Sequence, residues 1–211
     1  MRGDIRPGGT FPDYVLPDHN KVEQRLSELQ GDDPMVLMLS RGFFCPKDRH
    51  QLRELTRFYG ELVVGNTRLV VITGDDWHTT NNLRQQLDAP YPFLYDEKKL
   101  VRDDLDILEY TDMTNKPMIP HTFVLAPGLR IRNVWNGYYY WGRPSTGELY
   151  AALREVTREI RPDWGLLDPG LRTQWDAGDK HNFYPYGTKT MEKQLREMAG
   201  VYADRDCVPA T

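Results

Sequence analysis

Cys45 has the surroundings of a reactive thiol. It follows the run Met35-Val36-Leu37-Met38-Leu39-Ser40-Arg41-Gly42-Phe43-Phe44, whose five apolar residues Met35 to Leu39 are enough for a buried strand. Pro46 comes next, with a fixed φ suited to the first turn of a helix. Beyond it Leu52, Leu55, Tyr59 and Leu62 are spaced by three, four and three, one face of an amphipathic helix. A thiol at a helix N-terminus meets free backbone N–H groups and the positive end of the dipole. Both favour thiolate, the nucleophilic form. An arbitrary lone cysteine is more often an inert core residue, and it is the strand-to-helix setting that points the other way here. The second thiol, Cys207, lies in the tail Asp204-Arg205-Asp206-Cys207-Val208-Pro209. His50 falls about 140° round the helix from Cys45, so it is not placed as its base. The five histidines, His19, His50, His78, His121 and His181, show no ligand-pair spacing on one element, and no metal is expected.

The elements that must position Cys45 follow from patterning. Tyr14-Val15-Leu16 and a piece near Val22 read as short strands, and Met35–Leu39 as the first central one. A helix is predicted from Cys45 to about Val63. The β-branched run Arg68–Thr73 is a buried strand stopped by Gly74-Asp75-Asp76, and Asp75-Asp76-Trp77-His78 is a turn entering a helix over Thr79–Leu87. A short strand Phe93–Tyr95 and a helical turn over Leu100–Leu105 follow. His121–Leu125 and Ile131–Trp135 flank the turn Ala126-Pro127-Gly128 as a hairpin. Leu149, Leu153, Val156 and Ile160 mark a helix from about Ser145. The order β-α-β-α-β-β-α implies an α/β sandwich with a mixed sheet, parallel in its first part. After Arg161 the composition shifts. Asp168 and Pro169 suit the cap and first turn of a short helix to Trp175, and Met191, Leu195 and Met198 suggest another over Thr188–Val201.

At 211 residues the chain fits one domain with an appendage. Its apolar share is 39%, and seven Phe, twelve Tyr and five Trp can fill a core. A net charge of −4 without a basic run gives no reason to expect a nucleic-acid partner. No apolar run reaches the length of a signal peptide or a membrane span, and two cysteines cannot form a disulfide framework, so no membrane association and a cytoplasmic location are expected.

Four segments resemble the thioredoxin-like superfamily and, within it, the peroxiredoxin (alkyl hydroperoxide reductase/thiol-specific antioxidant, redoxin) family. Phe11-Pro12-Asp13-Tyr14-Val15-Leu16-Pro17-Asp18 is similar to the entrance strand. Arg41-Gly42-Phe43-Phe44-Cys45-Pro46 resembles a branch carrying Arg-Gly-x-Trp-Cys-Pro-x-Cys. Ile119-Pro120-His121-Thr122-Phe123-Val124-Leu125 is similar to the strand that begins with a cis-proline. Gly142-Arg143-Pro144-Ser145, ahead of Glu148, is similar to the Gly-Arg-Ser-x-x-Glu segment. The resemblance covers about residues 11–158. It implies a thioredoxin-like three-layer sandwich over 11–162; by composition, the Gly- and Arg-rich residues 1–10 read as a flexible arm, and residues 163–211, too poor in apolar residues for a core of their own, as a helical C-terminal extension that packs on the domain or a partner subunit. The resemblance further implies a thiol peroxidase that needs no cofactor. Cys45 is the peroxidatic nucleophile, Arg143 stabilises thiolate and leaving oxygen with Arg41 as second choice, and Gly42, Phe44, Pro120 and His121 line the substrate site. The implied partners are a peroxide and an external thiol reductant (thioredoxin, glutaredoxin or a low-molecular-weight thiol), with a homodimer as one assembly. Cys207 is either a resolving thiol or an incidental one.

Two departures matter. Where the family has Thr or Ser three residues before the cysteine this chain has Gly42, and Ser40 is out of register. Where the redox branch has its second cysteine this chain has Asp48, which rules out local Cys-x-x-Cys exchange. Asp48 either opposes thiolate by repulsion, or caps the helix start or faces Arg41 or Arg143. Two other readings therefore stand beside the peroxidase: a redox-silent binding module, and a thiol enzyme of other chemistry on the same scaffold. The aromatic run Trp135-Asn136-Gly137-Tyr138-Tyr139-Tyr140-Trp141 either lines a pocket or dimer face or is core covered by the tail through Trp175, Phe183, Tyr184 and Tyr186. The core reading is preferred.

Overall fold

The computed structural model describes residues 1–180 together with Phe183. Residues 184–211, and with them Cys207, Tyr184, Tyr186 and the helix expected over Thr188–Val201, lie outside the described residues. The chain divides into two compact units, the first being Met1–Leu153 and the second starting at Arg154.

Five strands form the central sheet: β3 (Met35–Ser40), β4 (Arg68–Thr73), β5 (Phe93–Tyr95), β6 (His121–Ala126) and β7 (Arg130–Asn136), in the order β5-β4-β3-β6-β7. The strands β3, β4 and β5 run parallel, joined through α2 (Pro46–Val64) and α3 (Trp77–Gln86), while β6 and β7 are antiparallel. Parallel neighbours need a helical crossover, and an antiparallel pair needs only a turn. That is why the long helices fall in the first half and the Pro127-Gly128 hairpin in the second. The thioredoxin-like α/β fold expected from the sequence is therefore present. A separate hairpin pairs β1 (Val15–Pro17) with β2 (Glu23–Arg25), followed by the short α1 (Leu26–Gln30), a helix that the sequence reading did not include.

Every residue of β3 is buried, as befits a central strand covered on both faces. Leu37 and Leu39 pack with Val70, Ile72, Phe123 and Leu125 in one apolar cluster. The alternate residues Val36 and Met38 point to the opposite face and are buried too, as are Leu52, Leu55 and Leu62 of α2. The first ten residues, expected as a flexible arm, are tied down in the first unit. Ile5 is buried in the cluster, the Arg2 N–H donates to the Leu105 carbonyl, and Gly8 N–H donates to that of Ile131.

The segment between α4 (Leu100–Asp104) and β6 folds back on itself. Glu109 N–H donates to Pro117 O at 3.0 Å and Ile119 N–H to Ile107 O at 2.7 Å, which fixes the loop 109–116 beside the start of β6. After β7 the chain makes a short 3-10 turn, Tyr140–Gly142, and enters α5 (Thr146–Ile160). Ser145 and Glu148 cap that helix reciprocally, the Ser145 N–H and hydroxyl both donating to Glu148 Oε2 at 2.8 Å. In the second unit α6 (Pro169–Asp176) begins as expected, Asp168 accepting from Gly170 N–H at 2.7 Å. The Trp175 and Phe183 rings meet edge to face, their centroids 5.4 Å apart.

Candidate active site

Cys45 is the N-cap residue of α2, with extended backbone angles (φ −84°, ψ 112°) and Pro46 following at the first turn. Its N–H donates to Gly42 O at 3.1 Å, closing a tight turn between β3 and α2. Gly42 makes that turn with φ +119°, a conformation that side-chain-bearing residues avoid. A Cβ there would also lie 2.6 Å from Asp75 Oδ1. Asp75 holds the far side of the turn, accepting from Phe43 N–H at 2.7 Å and from the Thr73 hydroxyl at 3.0 Å. Burial pushes the Asp75 carboxyl above its ordinary range, against the pull of those hydrogen bonds and of Lys99.

Cys45 is 1% exposed, and the cation against its sulfur is Arg41, whose Nη1 lies 3.9 Å from Sγ. The other end of the guanidinium is clamped. Nη2 of Arg41 sits 2.6 Å from Glu109 Oε2 and 3.5 Å from Asp112 Oδ2. Asp112 is fixed in turn by Asn115 N–H at 3.0 Å, and such hydrogen bonds hold its carboxyl below the usual range. Because both carboxylates take Nη2, Nη1 is left for the sulfur. Phe44, 42% exposed, lies beneath the guanidinium with its ring centre 5.4 Å from the Arg41 carbon.

Arg143 belongs to a second network. It is ion-paired with Asp48, and its Nη1 donates to Gln51 Oε1 at 2.7 Å; Gln51 Nε2 then donates to the Thr122 hydroxyl at 2.9 Å. Asp48 is wholly buried. Its Oδ2 accepts from the Ser40 hydroxyl at 2.8 Å and from Arg41 N–H at 2.5 Å. The carboxylate thus ties the end of β3 to the first turn of α2; it faces Arg143, as one of the expected alternatives had it, and it does not cap the helix start. Ser40 donates to Asp48 and accepts from Gly42 N–H, which makes it part of the turn.

Of the other residues expected at the site, Pro120 accepts from Gly137 N–H at 2.8 Å, and His121 pairs in the sheet with Leu39 on one side and Asn136 on the other. His121 Nδ1 is 2.8 Å from Ile119 O, and burial lowers the imidazole below its usual value, so it is neutral near pH 7. His50 is on the exposed face of α2 against Tyr140.

The aromatic run after β7 is not core. Tyr138, Tyr139 and Trp141 are 47%, 61% and 87% exposed, because the chain leaves the sheet at Asn136 and turns along the surface. With Glu109, Tyr110 and Ile119 these residues line a cleft of about 680 Å³, and Arg143 forms part of its wall. Glu109 and Gln51 were missed by the sequence reading. Neither carries a local signal, and only tertiary contact brings them to the arginines. Among the described residues there is no group of three or more His, Cys, Asp or Glu placed to hold a metal, and no helix is long and apolar enough to cross a membrane.

Comparison with known proteins agrees with this architecture. Peroxidoxin BcpB of Mycobacterium tuberculosis superposes with a TM-score of 0.62 at 22% identity, covering 74% of this chain and 98% of that one. A yeast mitochondrial 1-Cys peroxiredoxin gives 0.61 at 14% identity over 74% and 78% of the two chains. The bacterioferritin comigratory protein of Xanthomonas campestris gives 0.58 at 15% over 76% and 99%. At such identities the likeness establishes the fold. No curated protein matches the chain. The AhpC/TSA family model matches residues 7–134, a stretch that runs from before β1 into β7 and holds Cys45, Arg41, Asp48 and Glu109. The chain is a member of the AhpC/TSA family.

Proposed function

We propose that this protein is a thiol peroxidase acting through Cys45 on hydrogen peroxide or organic hydroperoxides. The observation that carries the reading is the setting of Sγ, at the N-cap of a 19-residue helix with a clamped guanidinium 3.9 Å away. A thiolate is the attacking form, and a helix N-terminus and a neighbouring cation both favour it. In the step, sulfur attacks the distal peroxide oxygen in line. An S–O bond forms, the O–O bond breaks, and the departing alkoxide or hydroxide takes a proton and leaves as alcohol or water. Cys45 becomes a sulfenic acid. Arg41 is the group best placed to meet negative charge, first on sulfur and then on the leaving oxygen. Arg143 acts one layer behind it, fixing through Asp48 the turn that carries Arg41 and Cys45.

Regeneration requires two thiol equivalents. The first condenses with the sulfenic acid, releasing water and leaving a mixed disulfide; the second reduces that disulfide. An external thiol is the expected donor, in keeping with the glutathione and thioredoxin systems named for the yeast 1-Cys relative. Cys207 is the one alternative donor in the chain.

The burial of Cys45 favours a rival, a redox-silent thioredoxin-fold module. Mass spectrometry separates the two. One equivalent of peroxide in the presence of dimedone is expected to label Cys45 within seconds in the wild type and to leave Cys45→Ser unlabelled. A Cys45 that stays unlabelled while a small free thiol in the same tube is oxidised would overturn the peroxidase reading and leave the silent module or a thiol enzyme of other chemistry.

A further inference from the structure

The cleft beyond the end of β7 is built from ring faces and negative charge. At about 680 Å³ it is of the size that takes a small organic molecule. Tyr138, Tyr139 and Trp141 line it with their side chains largely in water, and Tyr110, 78% exposed, joins them from the loop 109–116. Exposed apolar rings gathered round a concavity mark a binding surface rather than a packing one.

The charges of the lining leave a negative balance once their partners are counted. Arg143 is closed off against Asp48, both side chains buried, so that pair is neutral towards a visitor. Glu109 shares Arg41 with Asp112, two carboxylates to one guanidinium. Glu148 is exposed in the lining, and the Ser145 N–H and hydroxyl hold its carboxyl below the usual range, so it is ionised at neutral pH. The face of an aromatic ring is itself the negative side of its quadrupole. Both features favour a cation and oppose a carboxylate ligand. Lys47, an ammonium of the chain itself, already lies 6.0 Å from the Tyr138 ring centre and donates to the Tyr138 carbonyl at 3.2 Å. Tyr139 and Trp141 present further ring faces beside it. A second copy of this chain is a poorer occupant, because its net charge of −4 is repelled by the same carboxylates. A bare ammonium is strongly hydrated, whereas methyl groups on nitrogen weaken that hydration and add apolar contact with the rings.

We propose that this cleft is a binding site for an organic quaternary ammonium group, as carried by choline or by a trimethylated lysine side chain, with Tyr139 and Trp141 supplying ring faces and Glu148 the counter-charge. Neither Cys45 nor Arg41 lines the cleft, so the site is separate from the thiol chemistry and does not depend on the peroxidase reading. The methylated nitrogen packs against the rings, where its charge meets their negative faces and the carboxylate field together.

The test is a ligand-observed NMR titration of the full chain with choline, with its uncharged isostere 3,3-dimethylbutan-1-ol, and with acetyl-trimethyl-lysine amide. Saturable binding of choline is expected, with the isostere weaker by about tenfold or more. Whichever cation binds more tightly identifies the free ion or the modified side chain as the source of the group. Trp141→Ala and Tyr139→Ala are each expected to weaken binding by roughly fivefold. Glu148→Gln, which keeps an acceptor for the α5 cap, is expected to weaken it by roughly threefold. The Tyr139 and Trp141 side chains are exposed, so the folded core does not depend on them. Cys45→Ser is expected to bind as the wild type does, whether or not the protein reduces peroxides. Absence of binding by either cation, equal binding of choline and its isostere, or an affinity unmoved by both ring substitutions overturns the inference. So does a dimer in analytical ultracentrifugation that Trp141→Ala dissociates, because the face then belongs to a second copy.

Discussion

Replacing Asp48 by Asn tests the anchoring of the active-site turn. The Asp48 and Arg143 side chains are 0% and 3% exposed, so the pair is fully desolvated. Removing one charge of such a pair leaves the other buried without a counter-ion, which costs about 3–5 kcal/mol. Asn keeps the volume and one acceptor, so packing is little changed and the Ser40 or Arg41 hydrogen bond can be retained in part. A loss of about 4 kcal/mol with an m value of about 2 kcal/mol/M lowers the urea midpoint by about 2 M. That is a large share of the roughly 5–15 kcal/mol that holds a domain together. The assay is urea unfolding followed by tryptophan fluorescence on wild type, Asp48→Asn, Arg143→Met and the double variant. The double variant has no orphaned charge and is expected to lose less than the sum of the single losses by about 2–4 kcal/mol, a coupling in the range of directly contacting groups (~0.5–3 kcal/mol) or slightly above it. An Asp48→Asn loss below about 1 kcal/mol, or additive single effects, would refute the buried-pair argument.

Three further outcomes are expected. Gly42→Ala forces a Cβ into φ +119° and against the Asp75 carboxylate; a loss of about 1–3 kcal/mol from the backbone alone should appear as a lower urea midpoint, and an unchanged midpoint would contradict the turn as described. Burial lowers the His121 imidazole below its unfolded value of 6.5, so the unfolded state binds the extra proton first and stability falls as pH drops below about 6.5. His121→Gln should flatten that part of the stability–pH curve, and a curve of unchanged slope would count against it. Arg41→Met removes a charge 3.9 Å from Sγ. Unopposed it would be worth about 4 kcal/mol at an effective dielectric of 20, but Glu109 and Asp112 offset much of this, leaving an expected drop of about tenfold in the rate of alkylation by iodoacetamide at pH 7, equivalent to about 1.4 kcal/mol. A rate that does not fall would remove Arg41 from the site.

Much of this arrangement was legible in the chain because it rests on local signals. Strands β3 and β4 are unbroken apolar runs that only a two-sided interior accommodates, and the Cys45-Pro46 junction carries the start of α2 in its own residue types. The Asp48 pairing was partly within reach, since a carboxylate in the first turn after Cys45 needs a cation and Arg143 was among those named for it. Other features depend on contacts that no local pattern encodes. The clamp on Arg41 comes from a loop that approaches it from 71 residues away at Asp112. Its presence moves Arg41 ahead of Arg143 as the cation at sulfur. The helix α1 is five residues long and takes its shape from packing, with Leu26 wholly buried, rather than from propensity. Ile5 is similar: one apolar residue among Gly and Arg gives no periodicity, yet it fills a site in the core. The aromatic run misled in the opposite direction, because hydrophobic composition suggests burial while their position after the edge strand β7 exposes Tyr138, Tyr139 and Trp141.

The most direct test of the account is stopped-flow mixing of the reduced protein with hydrogen peroxide and with cumene hydroperoxide, followed by intrinsic fluorescence, for wild type, Cys45→Ser and Cys207→Ser. The expected result is oxidation at least a hundredfold faster than that of a free low-molecular-weight thiol, retained in Cys207→Ser and lost in Cys45→Ser. Oxidation no faster than that of the free thiol with either peroxide, or fast oxidation that survives in Cys45→Ser, would contradict the assignment of Cys45 as a peroxidatic cysteine.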